Sequence, residues 1–206
     1  MLRRIPSVDL NYKLKNIFPI SIHQFYINDF DDMKGKLINY AYDTKKKDSL
    51  GASVSNRGGW QSSSIDFTKD DNLLLTNFLF DCLSELPFLN GDNIDYRLDA
   101  WININKKGDY NVKHIHPTSI FSGVLWLKCP EKCGEIFFTS PYEFIGWQEH
   151  ELYSDQFKKE NGAFLGYSFK PIEGYMLLFP SHLLHHVNVN ESDEDRISVA
   201  FNMRFN

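Results

Sequence analysis

The sequence predicts a mainly β fold, a strand-rich barrel or sandwich buttressed by helices on one side. Three observations carry this expectation. Helical patterns occupy the first part of the chain, and from Asp95 onward the hydrophobic period switches to two. Aromatic residues reach 15%, with 17 Phe, which favours strands over a plain helical bundle. The last segment, Arg196 to Phe205, splits into two chemically distinct faces.

Taken in order, residues 17–27 read as an opening strand. A first helix is expected from about Asp31 to Lys46, with Met33, Leu37, Ile38, Ala41 and Tyr42 at helical spacing and acids ahead of its lysines. Lys45, Lys46 and Lys47 then form a solvated helix end, favourable at the negative pole of the helix dipole. Ser55 to Ser62 (Ser-Asn-Arg-Gly-Gly-Trp-Gln-Ser) reads as a loop. A second helix starts near Asp70, carries Leu74, Asn77, Phe78, Asp81, Cys82 and Glu85, and is stopped by Pro87. Cys82 is expected in the core. In the following strand Trp101, Asn103 and Asn105 alternate with Ile102 and Ile104. Phe121 to Lys128, Glu135 to Thr139, Gly174 to Phe179 and Arg196 to Phe205 complete the strand candidates.

In the final strand, Arg196, Ser198, Ala200, Asn202 and Arg204 share one face. Ile197, Val199, Phe201, Met203 and Phe205 share the other. A polar, arginine-bearing face suits a barrel interior that holds a polar ligand, with the apolar face packed outward on helices. The alternative is an ordinary amphipathic strand with Arg196 in solvent.

With 206 residues, 42% hydrophobic and 24% charged, the chain suits one globular domain. The formal charge of −5 gives no basic field to gather phosphates, so nucleic acid is not an expected partner. No apolar run approaches the roughly 20 residues needed to span a bilayer, and no membrane partner is expected. Met1 to Pro6 carries two charges without the apolar stretch of a signal peptide after it, and three cysteines do not form a secreted disulfide framework. The cytoplasm is the expected location.

Five of the seven histidines fall in two clusters, Lys113-His114-Ile115-His116-Pro117 and His182-Leu183-Leu184-His185-His186-Val187. On a strand, residues i and i+2 point the same way, so His114 and His116 could reach one ion together. Imidazole suits iron, zinc, copper and nickel. A third ligand from a distant strand would close one face and leave the other positions open. Around the clusters stand Ser122-Gly123-Val124-Leu125-Trp126-Leu127, Gly134-Glu135-Ile136-Phe137-Phe138, Gly174-Tyr175-Met176-Leu177-Leu178-Phe179-Pro180-Ser181 and Arg196-Ile197-Ser198.

This order resembles the 2-oxoglutarate/Fe(II)-dependent dioxygenase superfamily, and most closely its branch of small oxygenases with an H-x-H-P…S-G-V signature. The similar landmarks run from about Asn56, including Asn56-Arg57-Gly58-Gly59-Trp60-Gln61-Ser62, to the C-terminus. The resemblance implies a double-stranded β-helix (jelly roll, cupin-like) over residues 95–206, with 1–94 supplying an N-terminal strand and buttressing helices to the same single domain. It implies Fe(II), with 2-oxoglutarate and O₂ as co-substrates, and hydroxylation of a C–H bond on a small-molecule or peptide substrate with release of succinate and CO₂. The metal ligands it implies are His114, His116 and His185. His185 fits the H-x-V pattern through His185-His186-Val187, with His182 and His186 as alternatives. Arg196 and Ser198 match the R-x-S element that pairs with the distal carboxylate of 2-oxoglutarate, a task suited to the bidentate guanidinium fork. Asn103 and Trp126 are placed in the co-substrate pocket.

One departure stands out. Most of that superfamily has H-x-D or H-x-E, and this chain has His116 at the second position. Three neutral imidazoles can hold a divalent ion. Alternatively a carboxylate such as Asp109 or Glu135 is the ligand, and His116 stands behind it. Tyr142 to Phe164, rich in aromatics and charges, is a candidate substrate-covering lid, and the Asn56–Ser62 loop a second candidate for the rim. Cys129-Pro130-Glu131-Lys132-Cys133 lacks the second ligand pair of a structural zinc site and reads as a turn with reduced thiols. Two rival functions follow from the same residues. One is a three-histidine oxygenase without 2-oxoglutarate, in which Arg196 binds a substrate carboxylate. The other is a non-catalytic jelly-roll binding module.

Overall fold

The computed structural model describes residues 13, 20–69, 73–84, 86, 96–142 and 151–205. Eleven strands and three helices are assigned among them. In chain order they are β1 His23–Tyr26, α1 Asp31–Lys47, β2 Asn56–Arg57, β3 Trp60–Gln61, α2 Leu73–Ser84, β4 Tyr96–Asn105 and β5 Tyr110–His114. Then follow β6 Phe121–Lys128, β7 Ile136–Thr139, α3 Asp155–Asn161, β8 Gly166–Phe169, β9 Tyr175–Pro180, β10 His185–Val187 and β11 Arg196–Phe205. The strands form two antiparallel sheets, a major one in the order β1-β9-β6-β11-β4-β3 and a minor one in the order β2-β5-β10-β7-β8. The chain crosses repeatedly between sheets, as in a double-stranded β-helix.

Period-two alternation decides where each residue goes. On the major sheet, Ile102, Ile104, Leu125, Leu127, Met176, Leu178, Ile197, Val199, Phe201 and Met203 pack with the helices into one core. Their neighbours Trp126, Tyr175, Leu177 and Phe179 face the other way, into a second cluster with Ile136 and Phe138 of the minor sheet. The inner cluster leaves space, and the polar residues of β4 and β11 line it.

The first helix forms as expected, one residue longer, with Leu37 and Ala41 buried and Met33, Ile38 and Tyr42 packed beside them. In α2 the buried face is Leu75, Leu79 and Leu83, followed by Leu86. Of the residues expected on this helix, Asn77 and Asp81 are exposed, and the buried ridge runs through three leucines at i, i+4 and i+8. The side chains of Leu74, Phe78, Cys82 and Glu85, the helix start at Asp70 and the early part of the 17–27 strand lie outside the described residues.

The Ser55–Ser62 loop contains two two-residue strands, a correction to its reading as a plain loop. Asn56 and Arg57 pair with Asn111 and Tyr110 of the minor sheet, whereas Trp60 and Gln61 pair with Ile104 and Asn103 of the major sheet. This segment therefore bridges the two sheets. No residue described from 142 to 164 lines the central cavity, and Phe144 and Trp147 of the candidate lid lie outside the described residues. Within that segment α3 is capped by Ser154, whose Oγ accepts from Phe157 N at 3.2 Å, and ends at left-handed Gly162.

Candidate metal centre

The site is built where the two sheets face each other. β10 lies between β5 and β7, and its register sets His185 directly opposite His114. Cross-strand partners on one face bring their side chains together, and the two rings lie 4.3 Å apart. His116 arrives differently from the i, i+2 strand argument. β5 ends at His114, and His116 sits in the segment beyond it. Pro117 has no N–H to offer a ladder, and Thr118 takes a positive φ of 68°, so the strand cannot continue. His116 is held by its own backbone N–H, which donates to Ser181 O at 2.9 Å. Its ring lies 5.0 Å from His114 and 5.2 Å from His185.

Ring nitrogens of the three residues all lie within 4.8 Å of one another. Among the described residues this is the one group of three or more His, Cys, Asp or Glu close enough to share an ion, and neither Asp109 nor Glu135 joins it. His182 is exposed, and His186 turns to Asn188 (Nε2 to Oδ1, 3.1 Å) and Phe137. The Nδ1 atoms of His114 and His185 lie 2.7 and 2.8 Å from the carbonyls of Val112 and Leu183. A carbonyl only accepts, so Nδ1 carries the proton in each ring and Nε2 keeps the lone pair a metal needs. Phe138 and Phe179 pack on the His185 ring at 5.7 and 4.9 Å and fix its plane.

Burial holds all three imidazoles neutral. It lowers His114 below the usual histidine value, against the Val112 carbonyl, which favours the charged form. Burial, with His114 alongside, pushes His116 down to about 4. Burial, then His114, pushes His185 down to about 3. Neutral, preoriented and convergent imidazoles fit a divalent transition metal.

The rings open onto a cavity of about 60 Å³ between the sheets. Asn103, Trp126, Arg196 and Ser198 all line it, as do Trp101, Asn105, Asn111, Ser55 and Ala200. The antiparallel register explains the grouping, for Arg196, Ser198 and Ala200 on β11 pair with Asn105, Asn103 and Trp101 on β4. The remaining polar residues of that β11 face leave the cavity. Asn202 accepts from Ser122 Oγ at 2.8 Å, and Arg204 is exposed. Trp101 and Asn105 belong to the same alternating set as Asn103 and could have been named with it. Asn111 and Ser55 carried no signal, because Asn111 lies on β5 three positions ahead of His114 and Ser55 reaches the cavity beside the bridging segment, where its Oγ accepts from Asn111 Nδ2 at 3.0 Å.

Arg196 is the most unusual member. It is only 2% exposed, and its Nη1 donates to the carbonyls of Cys133, Gly134 (3.2 Å) and Asn188 (3.3 Å). Its Nε and Nη2 make no hydrogen bond among the described residues, and no acidic side chain lines the cavity. Gly134 permits this cradle, since its φ is +89° and a Cβ there would lie 2.3 Å from Asn188 O and 2.8 Å from Arg196 Nη1. Burial lowers the Arg196 pKa, but a guanidinium stays charged at neutral pH.

Fold and site together define a jelly-roll protein with a three-histidine metal-type cluster beside a buried arginine. A profile of the family described as "Putative 2OG-Fe(II) oxygenase" matches residues 99–202. The chain belongs to this 2-oxoglutarate/Fe(II) oxygenase family. Among solved structures it is similar to a Pseudomonas putida prolyl-4-hydroxylase, with 14% identity, TM-score 0.60, and 90% of this chain and 92% of that chain covered. It is also similar to a prolyl hydroxylase from Trichoplax adhaerens in complex with a hypoxia inducible factor peptide fragment (15% identity, TM-score 0.59, 88% and 83% covered). A third similar structure is HygX from Streptomyces hygroscopicus with nickel and 2-oxoglutarate bound (10% identity, TM-score 0.55, 90% and 83% covered). At these identities the likeness establishes the fold. No curated protein matches the chain.

Proposed function

We propose that this protein is a 2-oxoglutarate- and Fe(II)-dependent dioxygenase that hydroxylates a C–H bond of a small-molecule or peptide substrate, releasing succinate and CO₂. The observation that carries the reading is the charge inventory of the cavity. One buried guanidinium and a three-histidine cluster face a space whose lining, among the described residues, contains no carboxylate. A buried cation without a counterion is costly, and a dicarboxylate bound between metal and arginine removes that cost.

His114, His116 and His185 would hold Fe(II) through three imidazole nitrogens, leaving open positions for 2-oxoglutarate and O₂. When bound, the iron supplies the oxidative decarboxylation and substrate oxidation that no side chain can perform. Arg196 offers its unused edge to the distal carboxylate, with the Ser198 hydroxyl one residue-pair along the same face. Asn103 and Trp126 shape the pocket wall, and the aromatic cluster of Phe138 and Phe179 keeps water from the His185 side. The all-histidine cluster, with no carboxylate, also suits an oxygenase in which Arg196 binds a substrate carboxylate directly.

The test combines metal analysis with turnover. Wild-type protein is expected to retain one Fe(II) and to release succinate from 2-oxoglutarate, and His185→Ala is expected to retain no metal. Stoichiometric iron with oxidation of a candidate substrate but no succinate would favour the direct-carboxylate enzyme. A chain that retains no iron, manganese or nickel at neutral pH would overturn both.

A further inference from the structure

The turn that joins β6 to β7 serves two purposes, for it carries both Cys129 and Cys133 and also presents two of the carbonyls that hold Arg196. Cys129 is half-buried and lines a surface cleft of about 600 Å³ with Asp29, Pro171 and Glu173. Cys133 is buried beneath it. The two thiols lie four positions apart across one closed turn, close enough to influence each other. The backbone between them is tightly closed. Cys133 N donates to Pro130 O at 3.2 Å, Lys132 stands at φ +62°, and Glu191 N donates to Lys132 O at 3.0 Å.

We propose that Cys129 and Cys133 form an oxidation site, at which a hydroperoxide joins the two thiols as a disulfide and thereby loosens the cradle of Arg196. The loss of affinity predicted below rests on the reading of Arg196 as the carboxylate-binding residue.

The chemistry balances with hydrogen peroxide as the oxidant. One thiolate attacks a peroxide oxygen, the O–O bond breaks, and a sulfenic acid forms as the first water leaves. The second thiol attacks that sulfur, the S–O bond breaks, and the second water leaves. Two electrons from the sulfur pair reduce the peroxide, and both thiol protons end in water. Thiolate is the reactive form. The surface cleft gives a small oxidant access to Cys129 without passing through the cavity between the sheets.

The coupling to Arg196 is mechanical. Bonding draws the sulfurs to covalent distance and imposes a specific dihedral. The strand ends on either side are fixed by their ladders, so the peptide units of 130–134 take up the change. Those units include the Cys133 and Gly134 carbonyls.

The test uses the full chain loaded with nickel(II), treated with hydrogen peroxide, then unfolded and alkylated. The untreated chain has three alkylatable cysteines, and the oxidised chain is expected to have one. Calorimetric titration of 2-oxoglutarate is expected to show affinity weaker by about tenfold after oxidation, roughly the worth of one hydrogen bond, and recovery with dithiothreitol. Cys129→Ser should bind 2-oxoglutarate as the reduced wild type does and should not respond to peroxide. Three alkylatable thiols after treatment, or oxidation of single cysteines without a bridge, would overturn the site. A bridge with unchanged affinity would overturn the coupling. A reduced chain with no affinity for 2-oxoglutarate sinks the co-substrate reading and the coupling with it, while the thiol count still decides the oxidation site.

Discussion

Replacing Arg196 by Met removes the only charged side chain among the described residues that line the cavity, while keeping a long stem to fill its volume. If Nε and Nη2 receive a carboxylate, two charge-assisted hydrogen bonds are lost, each worth about 1.5–3 kcal/mol. The lower end of that sum corresponds to a loss of affinity for 2-oxoglutarate of at least about a hundredfold. Stability should change far less. The carbonyls of Cys133, Gly134 and Asn188 lose their donor at roughly 1 kcal/mol each, but the chain no longer buries a cation without a counterion. Arg196 is not a member of the imidazole group, so metal content should not move. Calorimetric titration of the nickel-loaded variant, with metal content and urea denaturation measured in parallel, separates these terms. A folded, metal-loaded Arg196→Met protein whose Kd stays within about threefold of wild type would refute the argument, because so small a change is less than a single hydrogen bond.

Gly123→Ala on β6 should destabilise the fold by about 1–3 kcal/mol in urea denaturation. Its Cβ would lie 2.2 Å from Phe201 Cζ and 2.8 Å from Leu177 O, so both neighbouring strands must yield. Leu79→Ala, at a site with 0% exposure on the apolar ridge of α2, should lose about 2–5 kcal/mol by the same assay. Glu173→Gln should lower stability by about 1 kcal/mol at neutral pH through its contacts with Lys34 and the Cys129 N–H. Burial raises the Glu173 pKa, but those two donors prevail and hold it below the usual carboxylate value. The unfolded carboxyl therefore protonates first, and the wild-type advantage fades as pH falls below about 4.3 and through the folded value. A stability gap that stays constant across that range would contradict the assignment. Equilibrium dialysis should show nickel retained more tightly with 2-oxoglutarate present, and 2-oxoglutarate bound more tightly with nickel present, by the same factor, since linkage is reciprocal. Independent affinities would mean the two do not share the cavity.

The strands that a reader of the sequence finds are those with both faces chemically marked. β6 and β11 fall on the expected residues, and β4 follows the alternation of Trp101, Asn103 and Asn105 with Ile102 and Ile104. β2, β3 and β10 are two or three residues long, too short for any period to show. β8 lies at the edge of the minor sheet with no buried residue, and its Gly-Tyr-Ser-Phe alternation spans only four residues. The same contrast holds at the site. Arg196 and Ser198 were legible because β11 alternates over ten residues. The approach of His116 was not, because it depends on a strand ending at His114 and on a backbone hydrogen bond to Ser181, 65 positions later in the chain. The buried ridge of α2 was not legible for a simpler reason, since Leu73, Leu74 and Leu75 are consecutive and any of them could begin an apolar stripe.

The substitution of a histidine for the usual carboxylate at position 116 becomes coherent once the whole cavity is counted. A carboxylate in the metal cluster would lower the charge that an incoming dianion meets, and it would lie opposite the guanidinium across the same space. Among the described residues, neither that carboxylate nor any other acid stands in the lining. The minor sheet, through His114 and His185, and the segment after it, through His116, supply neutral donors. The major sheet, through Arg196, supplies the fixed positive charge, held by backbone carbonyls that cannot neutralise it. Each sheet thus contributes a group that is poorly satisfied alone. Neutral imidazoles would hold a divalent ion without cancelling its charge, and the buried guanidinium makes no ion pair among the described residues, the nearest acid influence being that of Asp109. On the proposed reading, a ligand with carboxylate groups at both ends answers both demands at once, with the two sheets holding the imidazoles and the guanidinium across one cavity.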